Sequence, residues 1–228
     1  MADDSFDSVA TAIRTRRAVR AFRSDPVPRE TVTALLDLAA QAPSGSNMQP
    51  WRAYAVAGKA RARLCEAVVA AYLAGEKGEP AARYYPEEFF EPYRTRRRRV
   101  GLGLYALVGI PKGDAARMQA QHARNFRFFD APVGLIFTID RRLATGSWLD
   151  YGGFLQTLMI AARARGLDTC PQAAFAPFDA VIRRHLPLGP DEAVVCGMAL
   201  GYADPQAPEN RLVPEREPAA GFATLLGF

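Results

Sequence analysis

The chain contains 228 residues, of which 29 are Lys or Arg and 24 are Asp or Glu, giving a formal net charge of +5 and an isoelectric point near 9.3. This positive excess favours anionic ligands such as phosphates and carboxylates, but it is too small to indicate nucleic-acid binding by itself. The three cysteines are scattered and the two histidines lie far apart, which excludes a disulfide framework and a metal site with regular ligand spacing.

Helices and strands are both expected along the chain. Apolar residues that recur every three to four positions predict helices at residues 5–17, 28–41, 59–73, 114–129, 148–165 and 179–185. Runs of strand length predict strands at residues 52–57, 132–139 and 193–202, the last two buried on both faces. Residues 168–171 lead toward a fourth strand, and residues 175–178 are expected to form a loop.

Residues 41–51 combine two prolines, a glycine and several uncharged polar side chains between a helix and a strand. Prolines fix the backbone and Gly45 permits the close approach of a ligand, so this loop should be stiff and shaped. Its amides and hydroxyls could line a site for a planar molecule with polar edges. An ordinary turn is the alternative, because turns use the same residue types.

The end of the first predicted helix carries Arg16, Arg17 and Arg20, followed by Phe22 and a turn that contains two prolines. Guanidinium groups in this segment could hold a phosphate through forked hydrogen bonds. A basic helix end also suits the helix dipole at a solvated terminus. The segment alone therefore leaves both interpretations open.

Residues 74–113 are irregular, with an aromatic run followed by five arginines between residues 94 and 99. Aromatic residues mixed with basic ones can bind nucleic acid, but no recognised nucleic-acid module surrounds them. We expect instead a helical excursion that buries its aromatic residues and leaves its arginines solvated, with no nucleic-acid partner.

The two ends of the chain carry different signals. The N-terminus lacks the basic-then-apolar form of a secretion signal, and the apolar run at residues 100–111 is too short to cross a bilayer. We therefore expect a cytoplasmic protein without a membrane partner. The tail at residues 203–228 ends in an apolar cluster, so we expect it to dock on another surface, such as a partner subunit.

In this order, the segments resemble the nitroreductase family, whose members bind flavin mononucleotide (FMN). The matching motifs are Arg16-Arg17-Ala18-Val19-Arg20-x-Phe22, Pro26-Val27-Pro28, Ala42-Pro43-Ser44-Gly45-x-Asn47-x-Gln49-Pro50-Trp51, Gly166-Leu167-Asp168 and Glu209-Asn210-Arg211-Leu212. The resemblance implies an α+β fold with a mixed central sheet flanked by helices, in an intertwined homodimer. It also implies a single domain over residues 1–228, with a variable helical insert at about 74–113 and a C-terminal extension at about 203–228.

The resemblance implies a cofactor site without a catalytic side chain or a metal. In it, arginines converge on the FMN phosphate, the proline-containing loop comes from the other subunit, and two further segments meet the flavin ring. The implied residues are Arg16, Arg17, Ala18, Arg20, Pro43, Ser44, Gly45, Asn47, Asn125, Arg127, Pro171, Gln172, Ala173 and Arg211. The family commonly has a serine at the position of Ala18, and some members have a lysine at that of Glu209.

The activity that the resemblance implies is an FMN-dependent oxidoreductase that uses NADH or NADPH. It would reduce nitroaromatic or similar electron-poor acceptors by a ping-pong mechanism. Residues 84–110 look similar to the insert of nitrobenzoate-reductase-like members, which favours a nitrobenzoate substrate and makes residues 84–105 a candidate substrate wall. Two alternatives stay open: a flavin enzyme of different chemistry, such as dimethylbenzimidazole synthesis or reductive dehalogenation, and a non-enzymatic flavin-binding protein.

Overall fold

The computed structural model describes residues 4–228, with side chains described from Ser8 onward. The α-helices of this part of the chain are α1 (Asp4–Thr15), α2 (Arg29–Ala39), α3 (Gly58–Leu73), α4 (Tyr93–Leu107), α5 (Ala115–Ala123), α6 (Thr145–Ala164) and α7 (Asp179–Arg183). The strands are β1 (Arg52–Ala57), β2 (Val133–Asp140), β3 (Asp168–Gln172) and β4 (Glu192–Gly201). Short 3-10 helices lie at Gly45–Asn47, Arg124–Asp130, Ala173–Phe178, Pro208–Arg211 and Ala219–Gly221.

The four strands form one sheet in the order β1–β2–β4–β3, and every neighbouring pair is antiparallel. The central strands β2 and β4 are almost wholly buried, as their continuous apolar runs predict. Within residues 4–228, the parallel component of the predicted mixed sheet is a single isolated bridge between Ala18 and Thr169. This bridge places the arginine-rich segment at the outer edge of β3.

Each face of the sheet carries its own apolar core. Consecutive residues of β2 point to opposite faces, so Ile136 belongs to one core while Leu135 and Phe137 belong to the other. The first core includes residues of α3 and α7, and the second includes residues of α2 and α6. The sheet is therefore covered on both sides by helices, and its β3 edge is where the arginine-rich segment crosses.

The helix predicted at residues 114–129 is wrong in its second half. The α-helix ends at Ala123, and the chain then forms a 3-10 helix in which Phe128, Phe129 and Asp130 have φ values of 53°, 51° and 68°. Left-handed backbone costs a residue with a side chain about 1–2 kcal/mol, so three in a row need compensation from packing. The pattern of apolar residues around this turn does not show which distant residues supply that packing.

Stacked aromatic rings explain the departure. The rings of Phe128 and Phe175 are parallel to within 19°, with centroids 4.7 Å apart. Each ring lies directly on the sheet, because a Cβ at Gly134 would come within 2.4 Å of the Phe128 ring and one at Gly197 within 2.4 Å of the Phe175 ring. The tight turn after α5 places the Phe128 ring against the sheet at Gly134, where no side chain blocks it.

The insert differs from its prediction in one respect. Its basic run lies in α4, and Arg96 and Arg99 form ion pairs with Glu217 and Glu215 of the tail. The expectation that the insert buries its aromatic residues is wrong, since four of its rings are more than half exposed: Tyr84, Tyr85, Phe90 and Tyr93. Residues 74–92 form no regular element that would direct these rings to a core, so they pack against neighbouring rings of the insert instead.

Candidate functional site

The segment of residues 16–22, which we name the arginine arm, runs along the outer edge of β3. The Val19 N–H donates to the Thr169 carbonyl at 3.0 Å, and Phe22 forms an antiparallel bridge with Ala203. The arm is thus held between β3 and the start of the tail.

Two guanidinium groups of the arm act electrostatically on the buried thiol of Cys170 on β3. Burial raises the pKa of Cys170 to about 11, and the positive charges of Arg20 and Arg16 act in the opposite direction. Arg20 Nη1 also donates to the Ala18 carbonyl at 3.3 Å. The charges of Arg16 and Arg20 thus both act on the same residue of β3, and their role in cofactor binding stays a prediction.

Asn210 ties the tail to the arm. Its Oδ1 accepts a hydrogen bond from the Arg20 N–H at 2.8 Å, and its Nδ2 donates to the carbonyls of Ala21 at 2.8 Å and Asp204 at 2.9 Å. The next residue along the chain, Arg211, is exposed. Asn210 therefore bonds the turn that carries Arg211 directly to the arm, and the role of Arg211 stays a prediction.

The arm and the tail concentrate positive charge. Among the residues that the structure describes, no carboxylate forms an ion pair with Arg16, Arg17, Arg20 or Arg211. Burial lowers the pKa of Arg16, and the charge of Arg216 lowers it further. Guanidinium groups without carboxylate partners favour an anion with several acceptor oxygens.

The carboxyl end of β3 meets the segment that follows α5. Gln172 Nε2 donates to the Asn125 carbonyl, and Asn125 Nδ2 donates to the His122 carbonyl at 2.9 Å. The Oε1 atom of Gln172 is buried without a hydrogen-bond partner in the described residues. An unpaired buried acceptor costs about 1–3 kcal/mol, which makes this atom a place for a ligand donor. Pro171 and Ala173 flank it, the first exposed and the second half-buried.

Arg127 lies at a different place. It lines a cavity of about 490 Å³ against α3 together with Arg61 and Cys65, and its carbonyl accepts a hydrogen bond from Arg61 Nη1 at 3.2 Å. None of the other residues implied for the cofactor lines this cavity. The structure thus brings Asn125, but not the Arg127 side chain, to the end of β3.

Residues 41–51, which we name the proline loop, form a self-bonded structure. The Gln49 N–H donates to Ser44 Oγ at 2.9 Å, and the Asn47 N–H donates to the Ser44 carbonyl at 2.9 Å. Ser46, Asn47 and Gln49 all have φ between 47° and 56°. The loop thus has a defined shape that its own hydrogen bonds and left-handed residues set, and its stiffness stays a prediction.

The proline loop is anchored on the N-terminal half of α6. The Gly45 N–H donates to Asp150 Oδ2 at 3.0 Å. Trp51 stacks on Phe154, with ring centroids 4.9 Å apart and planes within 11°. The side of the loop that carries Pro43, Gly45 and Asn47 is exposed.

The loop and the arm lie at opposite ends of α6. The arm directly follows Thr15, whose Oγ1 accepts a hydrogen bond from Arg163 Nε at 3.0 Å, whereas the loop is bonded to Asp150. At about 1.5 Å of rise per residue, these two helix positions are roughly 20 Å apart along the axis. One copy of the chain therefore does not bring its own loop to its own arm.

The arginine arm and the proline loop both lie in a segment that matches a known protein family. A model of the nitroreductase family matches residues 13–202. The chain belongs to the nitroreductase family. The matched segment contains both the arginine arm and the proline loop, and it ends where the tail begins.

Close relatives support the same assignment for this nitroreductase. It is 44% identical over 228 residues to a 4-nitrobenzoate reductase of Pseudomonas putida, covering 99% of this chain and 97% of the relative. It is 45% identical over 215 residues to a nitrobenzene nitroreductase of Ectopseudomonas oleovorans, covering 94% and 95%. Among solved structures, the FMN-dependent nitroreductase NfnB from Mycobacterium smegmatis in complex with NADPH has a TM-score of 0.92 at 33% identity, covering 97% of this chain and 99% of that one. The predicted α+β, nitroreductase-like fold is confirmed.

Glu209 of this nitroreductase is not an isolated negative charge. Its buried carboxylate forms an ion pair with Arg124, from the segment that also carries Asn125. The sequence comparison identified Glu209 as a departure from members with lysine, but no local signal pointed to Arg124 as its partner. Asn210 lay within a recognised motif, yet its bonds to the arm could not be read from the sequence.

Residues 4–228 contain neither a membrane-spanning helix nor a cluster of metal ligands. In that range, no helix is both long and apolar enough to cross a bilayer. The same residues contain no group of three or more His, Cys, Asp or Glu side chains placed to hold a metal ion. The cytoplasmic location and the single-domain organisation expected from the sequence stay predictions.

Proposed function

We propose that this nitroreductase binds FMN and uses NAD(P)H to reduce nitroaromatic compounds, with a nitrobenzoate as the first substrate to test. The names of the relatives support the substrate class, because one acts on 4-nitrobenzoate and another on nitrobenzene. The solved relative that is FMN-dependent and was crystallised with NADPH supports the cofactor and the electron donor.

The observation that carries the proposal is the set of arginines held without carboxylate partners at β3. The charges of Arg16 and Arg20 both act on Cys170, and Asn210 bonds the turn that carries Arg211 to the Arg20 N–H. A phosphate monoester carries about two negative charges and several acceptor oxygens, which suits such a cluster. These side chains would hold the FMN phosphate.

The end of β3 fits the ring of the same ligand. Gln172 Oε1 is a buried acceptor that lacks a donor in the described residues, and Gln172 is bonded to the Asn125 carbonyl. Isoalloxazine presents N–H and carbonyl groups along its edge, so Asn125 and the segment Pro171-Gln172-Ala173 would orient the ring. The substitution of serine by Ala18 leaves the carbonyl of that residue in use, since it accepts from Arg20.

The second half of the site would come from a partner subunit. Because the proline loop and the arm are roughly 20 Å apart along α6, we infer that the loop which covers the ligand belongs to another copy of the chain. Pro43, Ser44, Gly45 and Asn47 of that copy would cover the ligand. The apolar side chains of Val9 and Ile13 on α1 and Leu149 on α6 are about half exposed or more, which supports burial of these helices in a homodimer.

The chemistry divides between the cofactor and the chain. When bound, FMN supplies a ring that accepts hydride from the nicotinamide and returns electrons to the acceptor. The chain's own residues bind the phosphate, orient the ring, and place positive charge where reduced flavin is negative. No side chain has to act as an acid or a base, and one shared pocket predicts ping-pong kinetics.

The direct test uses purified protein with FMN, NADPH or NADH, and 4-nitrobenzoate. We expect a flavin absorbance spectrum, nucleotide oxidation that depends on the nitroarene, a reduced nitrogen product and parallel double-reciprocal plots. Nucleotide oxidation distinguishes the enzyme from a flavin carrier, and the nitrogen product distinguishes nitro reduction from dehalogenation. A protein that stays colourless after incubation with FMN contradicts the proposal.

The shared site is tested by mixing two defective chains. One copy carries Arg20→Ala in the arm and the other carries Gly45→Leu in the loop, with different affinity tags. If the site combines one arm with the partner's loop, each mixed dimer contains one fully intact site and recovers about half of the FMN binding. If both halves come from one chain, every site in the mixed dimer is defective and no recovery is seen.

A further inference from the structure

A buried ion pair joins two segments that carry candidate cofactor residues. Arg124 Nη1 donates to Oε1 of Glu209, whose side chain is only 7% exposed. Arg124 Nη2 lies 3.4 Å from Oδ2 of Asp130, a carboxylate that is 60% exposed. Because a buried carboxylate depends on its counter-ion far more than an exposed one, Glu209 is the partner that gives Arg124 its importance.

Both members of the Arg124–Glu209 pair are adjacent in sequence to a residue of the candidate site. Asn125 follows the arginine, and its carbonyl accepts from Gln172 Nε2 at the end of β3. Asn210 follows the glutamate and accepts from the Arg20 N–H of the arm. The pair therefore closes a continuous connection between the phosphate side of the site and its ring side.

We propose that the Arg124–Glu209 pair is a positioning device that fixes the arginine arm and its tail turn relative to the ring-side segment at the end of β3, an inference that rests on the proposed binding of FMN. The two segments come from distant parts of the chain. The hydrogen bonds of Asn210 hold the tail turn to the arm but not to Asn125. The arm is joined to Asn125 indirectly, through the bonds that Val19 and Asn125 make with β3, and the ion pair adds a direct link from the tail turn.

The charges of the pair give the proposal a distinctive signature. Together, Arg124 and Glu209 add no net charge beside the site, whereas either one alone leaves a full charge in a poorly hydrated place. Reduced FMN is more negative than oxidised FMN. A negative charge left nearby therefore lowers its reduction potential, and a positive charge raises it.

The experiment compares Arg124→Gln with Glu209→Gln in the full-length protein. Both variants should weaken FMN binding to the apoprotein about tenfold or more, the size of coupling seen within one hydrogen-bonded network. The reduction potential of the bound FMN should move in opposite directions: down in Arg124→Gln, where Glu209 is left alone, and up in Glu209→Gln. Loosening of the structure alone would not produce shifts of opposite sign.

Further variants separate charge from position. The double variant Arg124→Gln/Glu209→Gln should return the potential close to that of the unchanged protein while FMN binding stays weak. Arg124→Lys keeps the charge and should show the smallest loss of affinity, and it provides a test if the glutamine variants do not fold. Arg142→Gln breaks an exposed pair with Asp140 at 2.6 Å, away from the site, and should change neither quantity.

Three results overturn the proposal. They are an unchanged dissociation constant for FMN in both single variants, potentials that shift in the same direction, and a loss of apoprotein stability in urea with normal FMN binding. The last result would make the pair a simple anchor for the tail. If the unchanged protein does not bind FMN at all, the proposed function fails first, and this outcome is distinguishable because it appears before any variant is made.

Discussion

The arginine arm and the proline loop are the two halves of the proposed site, and they are held in different ways. The loop is bonded largely to itself, through Ser44 and its neighbours, and to α6 through Asp150. The arm has no helix or strand of its own beyond two isolated bridges. Its tether, Asn210, is 190 positions away from Arg20 in sequence.

This difference decides what can be read from the sequence. A loop rich in proline, glycine and uncharged polar residues carries the information for its shape in its own composition. An arm that is shaped by distant residues reveals only its charges. The predictions below compare the arm with the loop. Apart from Asn47→Gly, which is the matched control for Asn210→Ala, they are ordered from the largest expected effect to the smallest.

The strongest test of the arm is Asn210→Ala. The change removes three hydrogen bonds. It leaves the Arg20 N–H and the Asp204 carbonyl without these partners, whereas the Ala21 carbonyl still accepts from the Asp204 N–H at 3.0 Å. At about 1 kcal/mol for each bond, with an added cost for burial, the free energy of unfolding should fall by about 2–4 kcal/mol. Urea denaturation of the apoprotein measures this change.

The matched change in the loop is Asn47→Gly. Asn47 is exposed, with a φ of 56° that glycine adopts freely, so the free energy of unfolding should change by less than about 0.5 kcal/mol. Equal losses in the two variants would remove the distinction between a tethered arm and a self-supporting loop.

Arg20→Ala should weaken FMN binding rather than stability. A charge-assisted hydrogen bond contributes about 1.5–3 kcal/mol, which corresponds to a dissociation constant roughly ten to a hundred times larger. Fluorescence titration of the apoprotein with FMN measures it. Arg23→Ala is the control, because Arg23 is exposed and paired with Asp25 at 3.0 Å. Equal losses in both variants would mean that general positive charge, not the position of Arg20, retains the ligand.

Asp150→Ala tests the anchor of the loop. The change removes the acceptor for the Gly45 N–H, and the internal bonds of the loop remain, so the free energy of unfolding should fall by only about 1 kcal/mol. Asp150→Asn keeps an acceptor oxygen and should lose less. A loss greater than that of Asn210→Ala would show that the loop depends on its anchor more than the arm depends on its tether.

The smallest effect concerns acid stability at the end of the loop. Burial raises the pKa of Glu192, but hydrogen bonds from Thr138 and Tyr54 and the charge of Arg52 outweigh it and lower the pKa below 4.5. This stabilisation is therefore present above pH 4.5 and is lost as the pH falls through the lowered value.

In Glu192→Gln, the free energy of unfolding should fall less steeply with decreasing pH below about 4.5, by at most one proton. Urea titrations at several pH values measure the slope. Because Arg52 directly follows the proline loop and contacts Glu192 at 3.8 Å, acid should weaken this end of the loop, whereas the Asn210 tether carries no titratable group. An unchanged slope would show that Glu192 has no part in acid unfolding.

Much of the fold could be predicted because its signals are local. The bounds of β1 match the predicted residues 52–57, and the ends of β2 and β4 differ from prediction by one residue. The sheet order could not be predicted in this way, since antiparallel pairing of β2 with β4 joins segments far apart in the chain. The helix predicted at residues 114–129 failed after Ala123 for the same reason. The backbone turns there so that Phe128 can stack on Phe175, which is distant in sequence.

The candidate site divides along the same line. Arg16, Arg20 and the proline loop could be recognised as candidates from residue types and order, and their roles stay predictions. The side chain of Arg127 turns to a cavity on α3, two residues away from Asn125, which faces β3. Sequence spacing cannot distinguish these directions in a 3-10 segment with left-handed residues. The Arg124–Glu209 pair could not be predicted either. The sequence around each residue gives no sign of its partner, because the tail brings them together only in the folded chain.

The stack of Trp51 on Phe154 has a practical consequence. The chain has two tryptophans, Trp51 and Trp148, and both belong to the proline loop or to the N-terminal half of α6. The intrinsic tryptophan fluorescence of the protein therefore reports on the N-terminal end of that helix. It can record the arrival of a partner subunit or a quenching chromophore there, while events at the opposite end need a label introduced by mutation.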